Sequence, residues 1–409
     1  MAGSSSPSPS SSPSSAPSPL PFALADVPGL DRFDRTVRRV IALTAVALLL
    51  RVAFLGRRIA HFDEGRVAWW ADYFRETGSF HYQPIIHGPL VQHVDAVLFV
   101  VFGTNDFTMR IFVALVGGLL PLSVLLYRNH LRSDELLAVA VFLAFNPILL
   151  YYSRFFRSTI PVAAFSFVTF GFLLRVYDEG SLRSLYGAAF FFALAFASKE
   201  NAVVYVLCWL GALGLLAEHA LFRSGDDDRS GVDWLVERVR ADDGAVGRFL
   251  TDPWYYLGHL AIALALFCLV TLYLYAPRTP DTAAVGFWEA VGNPLKMPEL
   301  VGETYDDIES GYETWFGKSE HAGSRYDGKW DQYTAYFDQA FQALSTYAVP
   351  LLVLSVFGFL LERYGRAKTR SVVLLASYWG FVSIVGYPYG TDIGNAWIMV
   401  NAVVPLTVP

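Results

Sequence analysis

Residues 61–90 read HFDEGRVAWWADYFRETGSFHYQPIIHGPL, a polar stretch that follows the first long apolar run of the chain. It holds the adjacent acids Asp63 and Glu64 and three of the eight histidines, His61, His81 and His87. Val67, Trp70, Ala71 and Phe74 recur at helical spacing, with Arg66, Asp72, Arg75 and Glu76 on the other faces. Trp69, Trp70, Tyr73 and Phe74 suit a membrane–water boundary, so the pattern predicts an amphipathic interfacial helix. The acid pair falls at its N-terminus, where backbone N–H groups favour carboxylates. Gly78 and Pro84 break the helix, and Gly88-Pro89 makes a tight turn back into apolar sequence.

On either side of this stretch the chain is strongly apolar. Only 17% of its 409 residues are charged, against about 25% in ordinary soluble domains. Apolar runs cover 37–55, 107–127, 136–152, 159–176, 184–198, 201–222, 254–276, 345–362 and 371–388, and a tenth begins near 396. Their lengths, near 20 residues, predict an all-α polytopic membrane protein of about ten transmembrane helices. Segment 91–102 carries His93 and Asp95 and is too short to cross, so it reads as a juxtamembrane helix. The Ser/Pro-rich first 30 residues have nothing to bury and read as a disordered tail. A net charge of −6 argues against a nucleic-acid partner. Cys208 and Cys268 lie inside apolar runs and read as packing residues.

Alternating the ten spans from a cytoplasmic N-terminus puts 17 Lys and Arg inside and 12 outside, in longer loops. The positive-inside rule supports this orientation in the cell membrane. Counting 91–102 as a full span would move the basic cluster at 363–370 outside. Four parts follow: the tail, a transmembrane module over 31–276 with an outer acidic loop at 56–106, an outer loop over 277–343, and C-terminal helices over 344–409. The loop at 277–343 is rich in acids and aromatics, and its length predicts that it folds over the site. The last run reaches Pro409 after 14 residues, too short to span, which suggests a piece of a longer protein.

Several polar groups then fall on the outer face. Asp63 can take a proton from an acceptor hydroxyl or hold a metal against a phosphate; the plain alternative for the pair is a solvated helix cap. His61 and His87, with Asp63, supply ligand types for a divalent ion, but no pair has the i, i+4 spacing of a metal-binding helix. Ordinary interfacial hydrogen bonds are the favoured reading of the histidines. Arg154, Arg157 and Lys199 sit at outer span ends and suit a lipid-linked phosphate, with snorkelling as the alternative. Arg110, four residues after Asp106, reads as a structural pair at the mouth of the second span, and Glu200 as the partner of Lys199 or a site acid. Arg51 is the clearest charge inside a span, and no chain of buried acids or histidines suggests a proton-coupled transporter.

The order of these features resembles the GT-C type of polytopic glycosyltransferases, which include protein O-mannosyltransferases and lipid A aminoarabinose transferases. The resemblance rests on His61-Phe62-Asp63-Glu64 after the first span, His87-Gly88-Pro89-Leu90, Gly103, and Asp106-Phe107-Thr108-Met109-Arg110. Tyr152-Ser153-Arg154 and Ala197-Ser198-Lys199 extend it, so that 37–222 is covered well and the rest loosely. The wording HFDEGRVAWWADYF, HGPLVQH, YYSRFFRS and ASKEN is similar to an archaeal, flippase-activity-associated branch of the N-glycosylation pathway. An acid that several relatives carry after the third span is replaced by Arg157-Ser158-Thr159. The resemblance implies transfer of a sugar from a dolichyl (polyprenyl) phosphate to a lipid-linked or protein acceptor on the outer face. Its alternative is a non-enzymatic flippase or flippase-associated protein. Implied roles are catalytic base or metal-holding acid for Asp63, support for Glu64, pocket-shaping for His87, and donor-phosphate contact for Arg154, Arg157 and Lys199.

Overall fold

The computed structural model describes residues 33–84, 88–223, 247, 250–278, 285–316, 326–365, 369–389, 391 and 395–409. The Ser/Pro tail and His87 lie outside the described residues. Among those described, the chain is helical, with a single isolated bridge, Phe80 to Arg278.

The expected spans fall on helices, some of them in two pieces. They are α1 (Arg35–Val52), α4 (Thr108–Leu119), α5 (Ser133–Phe145), α6 (Pro147–Tyr152), α7 (Thr159–Glu179), α8 (Leu182–Ser198) and α9 (Ala202–Arg223). Between α1 and α4 lie α2 (Phe62–Thr77) and α3 (Pro89–Phe102). The C-terminal half holds α10 (Pro253–Tyr275), α11 (Phe287–Gly292), α12 (Met297–Phe316), α13 (Lys329–Tyr347), α14 (Val349–Tyr364), α15 (Ser371–Gly386) and, after a 3-10 turn at Ala396–Met399, α16 (Val400–Leu406). Among the described residues five of these helices, α4 being taken with the 3-10 turn that continues it, are individually long and apolar enough to cross a membrane. A sixth span results if α13 and α14, bent by 97°, are joined.

The expected run at 136–152 is two helices. Asn146 ends α5, and its side chain accepts from the N–H groups of Ile148 (3.0 Å) and Leu149 (3.3 Å) to start α6. Pro147 has no N–H, so carbonyls at the end of α5 lose helical donors. Arg51, fully buried in α1, supplies replacements, donating to Ala144 O (2.9 Å) and Leu143 O (3.0 Å). The intramembrane charge is therefore a plug for a broken helix.

The loops sort into two ends. At one end Asp34 meets Arg128 (3.8 Å), His130 meets Asp178 (2.8 Å), and Arg370 joins Glu135 (2.8 Å) to Glu362 (2.9 Å). At the other, the segments after α1, α3, α6, α8 and α10 converge. Gly88 is pressed onto α8: its N–H donates to Ser198 O (2.8 Å), and a Cβ there would sit 2.2 Å from Ala197 O. Only glycine permits that approach, which folds the interfacial helix pair α2–α3 back over the bundle end.

Candidate active site

His61 caps α2, its Nδ1 accepting the Asp63 N–H (3.2 Å), while the Glu64 carboxylate accepts the His61 N–H (2.9 Å). This reciprocal capping box fixes both acids at the first turn. It also points them in different directions.

Glu64 is fully buried. Arg58 reaches both its oxygens (2.7 and 2.8 Å), Arg110 forks onto it from the side (2.8 and 2.9 Å), and the Phe156 N–H donates to Oε1 (2.8 Å). Burial alone raises the carboxyl pKa, but the bonds from Arg110, His61 and Phe156 outweigh it and hold it at about 2. A carboxylate with so many donors has no capacity left for chemistry. Glu64 is the clasp that ties α2 to α4 and to the turn after α6. Arg110 pairs with this acid; of Asp106 it touches only the backbone oxygen (3.2 Å).

Asp63 is one-quarter exposed. Its Oδ2 accepts from Arg157, and among the described residues Oδ1 takes no hydrogen bond. The Arg157 guanidinium lies 3.8 Å from the Trp397 ring centroid. Trp397 in turn lines a small cleft with Lys199, Thr159, Asn201, Tyr387 and Asn401. Asp63, Arg157 and Lys199 are thus brought into one continuous patch. Arg154 faces elsewhere, donating to Leu50 O (2.5 Å) on α1.

Glu200 is buried beside Lys199, yet its Oε1 accepts from two phenols, Tyr82 (2.7 Å) and Tyr275 (2.6 Å). His93 bonds Leu274 O (2.7 Å), and His61 lies against Phe155 with ring centroids 5.6 Å apart. Among the described residues no three His, Cys, Asp or Glu side chains cluster in a way that holds a metal. Glu64 is saturated and Asp63 has only Oδ1 uncommitted, so these two acids do not by themselves make a site for a divalent ion. Trp397 and Asn401 were not among the expected site residues. The only hint in the sequence was the polar pair Asn395 and Asn401 within an otherwise apolar run.

Comparison with known proteins gives the frame for this geometry. A family model described as dolichyl-phosphate-mannose-protein mannosyltransferase matches residues 86–224. No curated protein sequence matches. ArnT from Cupriavidus metallidurans is similar in its apo structure, with 17% identity, a TM-score of 0.57, and coverage of 90% of this chain and 58% of ArnT. The ArnT structure bound to undecaprenyl phosphate gives 15% identity at the same TM-score of 0.57 and the same coverage, 90% and 58%. The Archaeoglobus fulgidus oligosaccharyltransferase with zinc and sulfate gives 13% identity, a TM-score of 0.53, and coverage of 90% and 48%. The chain therefore spans about half the length of these structures. The resemblance read from the sequence is borne out in the fold: this is a polytopic, helical membrane protein whose architecture is shared with ArnT and the Archaeoglobus fulgidus oligosaccharyltransferase.

Proposed function

We propose that the chain carries the transfer site of a membrane glycosyltransferase that moves a sugar from a polyprenyl phosphate, dolichyl phosphate in particular, to a hydroxyl- or amide-bearing acceptor. The observation that carries this reading is Asp63: an acid with an uncommitted oxygen, held at a bundle end beside Arg157 and, through Trp397, Lys199.

The chemistry follows from those groups. Asp63 Oδ1 accepts the acceptor's proton as the acceptor atom attacks the anomeric carbon. The bond from that carbon to the phosphate oxygen breaks, and the electron pair leaves with the phosphate. The diester, singly charged, becomes a monoester with one more negative charge, which Arg157 and Lys199 stabilise as it develops. Attack on the face opposite the leaving phosphate inverts the anomeric centre. Arg154 stands at the rim, turned to α1, and contributes less. The excess of basic residues in the opposite set of loops supports placing this end outside the cell membrane and the N-terminus in the cytoplasm. The helices of 277–343 support a cover over the site, since Ile308 and Tyr312 of α12 rest on the main core.

The test is transfer from a radiolabelled dolichyl-phosphate sugar in proteoliposomes. Asp63→Asn is expected to lower the rate about a hundredfold or more with binding retained. Full activity of Asp63→Asn and Asp63→Ala removes Asp63 from the chemistry. No transfer by the unmodified chain sinks the enzyme reading, and a change in the sidedness of the lipid would then favour a flippase role.

A further inference from the structure

We propose that the cleft between Lys199 and Trp397 is a pocket that reads one hydroxyl of the transferred sugar, with Asn201 as the specificity-determining residue. This rests on the glycosyl-transfer reading of the neighbouring Asp63 and Arg157, and names the part of the substrate that the site selects.

The first observation is size. The cleft lined by Lys199, Asn201, Trp397 and Asn401 has free room for about one water molecule. It takes a single small polar group, not a whole sugar ring.

The second is an unsatisfied atom. Asn201 is 4% exposed, and its Oδ1 has no hydrogen-bond partner among the described residues. A buried amide oxygen without a partner is destabilising. Such a group is retained where a water or ligand completes it. Asn401 is held rigidly beside it: its Oδ1 accepts from Tyr205 (2.6 Å) and its Nδ2 donates to Ile398 O (3.0 Å), which leaves one amide N–H.

The third is the kind of group these atoms match. The pocket offers amide donors and an amide acceptor together with the Lys199 ammonium. A hydroxyl both donates and accepts, so it satisfies them at once. A phosphate only accepts, and would leave the amide oxygen unpaired. The hydroxyl fills the room that one water molecule would take and makes the bonds a water would make there.

The fourth is position. The Trp397 ring forms one wall of the pocket and carries Arg157 at 3.8 Å on its face. A sugar anchored by one hydroxyl in the pocket lies against Trp397, with its phosphate-bearing carbon directed toward Arg157 and Asp63.

The experiment measures binding to the full chain in nanodiscs, carrying Asp63→Asn to prevent turnover. The probes are dolichyl phosphate, its mannose, glucose and galactose esters, and each mono-deoxy counterpart of those esters. One parent sugar is expected to bind more tightly than dolichyl phosphate. One of its deoxy forms should lose about a hundredfold in affinity, as expected where a site built for a hydroxyl meets its absence. Asn201→Ala should bring parent and deoxy forms to the same affinity while the melting temperature stays within a few degrees. The inference is overturned if all deoxy forms bind like their parents, if no sugar improves on dolichyl phosphate, or if discrimination survives Asn201→Ala. Should Asn201→Ala not fold, the deoxy series on the Asn201-containing chain decides alone. Transfer by the unmodified chain is scored separately. The binding pattern without transfer keeps the pocket and removes the enzyme reading; transfer without the pattern does the reverse.

Discussion

Two buried glutamates stand at the same end of the bundle and are satisfied by opposite means. Glu64 is clasped by two guanidinium groups and two backbone N–H groups. Glu200 is met by the hydroxyls of Tyr82 and Tyr275, beneath helix α12. The first centre stakes full charges on one another around a buried carboxylate; the two phenols of the second are neutral when alone. Removing one partner from the first leaves a stranded buried ion, whereas removing one from the second leaves a polar atom short of a bond. The difference teaches where the fold tolerates change next to the site.

The largest expected effect is therefore at the clasp. Glu64→Gln leaves Arg110, itself fully buried, without a counter-ion. A loss of about 3–5 kcal/mol in unfolding free energy is expected. It should be read in detergent by thermal unfolding, with failure to accumulate as the extreme outcome. The double variant Glu64→Leu with Arg110→Met should recover much of the loss, because both charges leave together. If Glu64→Gln is as stable as the unmodified protein, the clasp is not structural and its role beside Asp63 must be reconsidered.

At the second centre, Tyr82→Phe and Tyr275→Phe are each expected to cost about 1 kcal/mol. Glu200→Gln, whose amide oxygen still accepts from both phenols, should cost no more. These values place the tyrosine centre well below the clasp in the same unfolding assay. Effects at Glu200 matching those at Glu64 would erase the contrast.

The contrast also marks what the sequence could and could not reveal. The helices were legible because hydropathy over about 20 residues is a local property. Asp63 and Glu64 were legible as a pair, yet their separation into a reactive acid and a structural one was not. That depends on Arg58, Arg110 and the Phe156 N–H arriving from segments up to 92 residues away. The break at Asn146-Pro147 was hidden inside one apolar run, and with it the reason for Arg51. Trp397 and Asn401 were missed for the same reason. Their partners Arg157 and Tyr205 lie far off in sequence, and an aromatic or an amide in an apolar run reads as packing until its neighbours are known.

The smallest effect concerns pH, and it has opposite sign at the two centres. Glu64, held at about 2, contributes stability that is present above its unfolded value near 4.5 and is lost as pH falls toward 2. Asp307 on α12 lies close enough to the tyrosine centre to act on Tyr82. Burial, with Glu303 and Asp306 nearby, pushes its carboxyl up to about 6. In the folded state Asp307 therefore keeps its proton longer than in the unfolded chain. Its stabilising balance is complete below about 3.8 and declines as pH rises through 6. Asp307→Asn removes that decline, so the variant should exceed the unmodified protein by about 1 kcal/mol at pH 8, after allowance for solvent at a half-buried carboxyl, and match it near pH 4. Melting curves across that range should converge on the acid side. A variant less stable than the unmodified protein at pH 8, with the curves again meeting on the acid side, would show that Asp307 is held by a cation as Glu64 is, and the two centres would then be alike. Gly311 offers the steric counterpart one turn along α12, since a Cβ there would sit 2.6 Å from the Tyr82 hydroxyl and 3.2 Å from Glu200 Cγ. Gly311→Ala should therefore lift α12 from the tyrosine centre and flatten the pH dependence that Asp307 produces, leaving the acid limb from Glu64 in place.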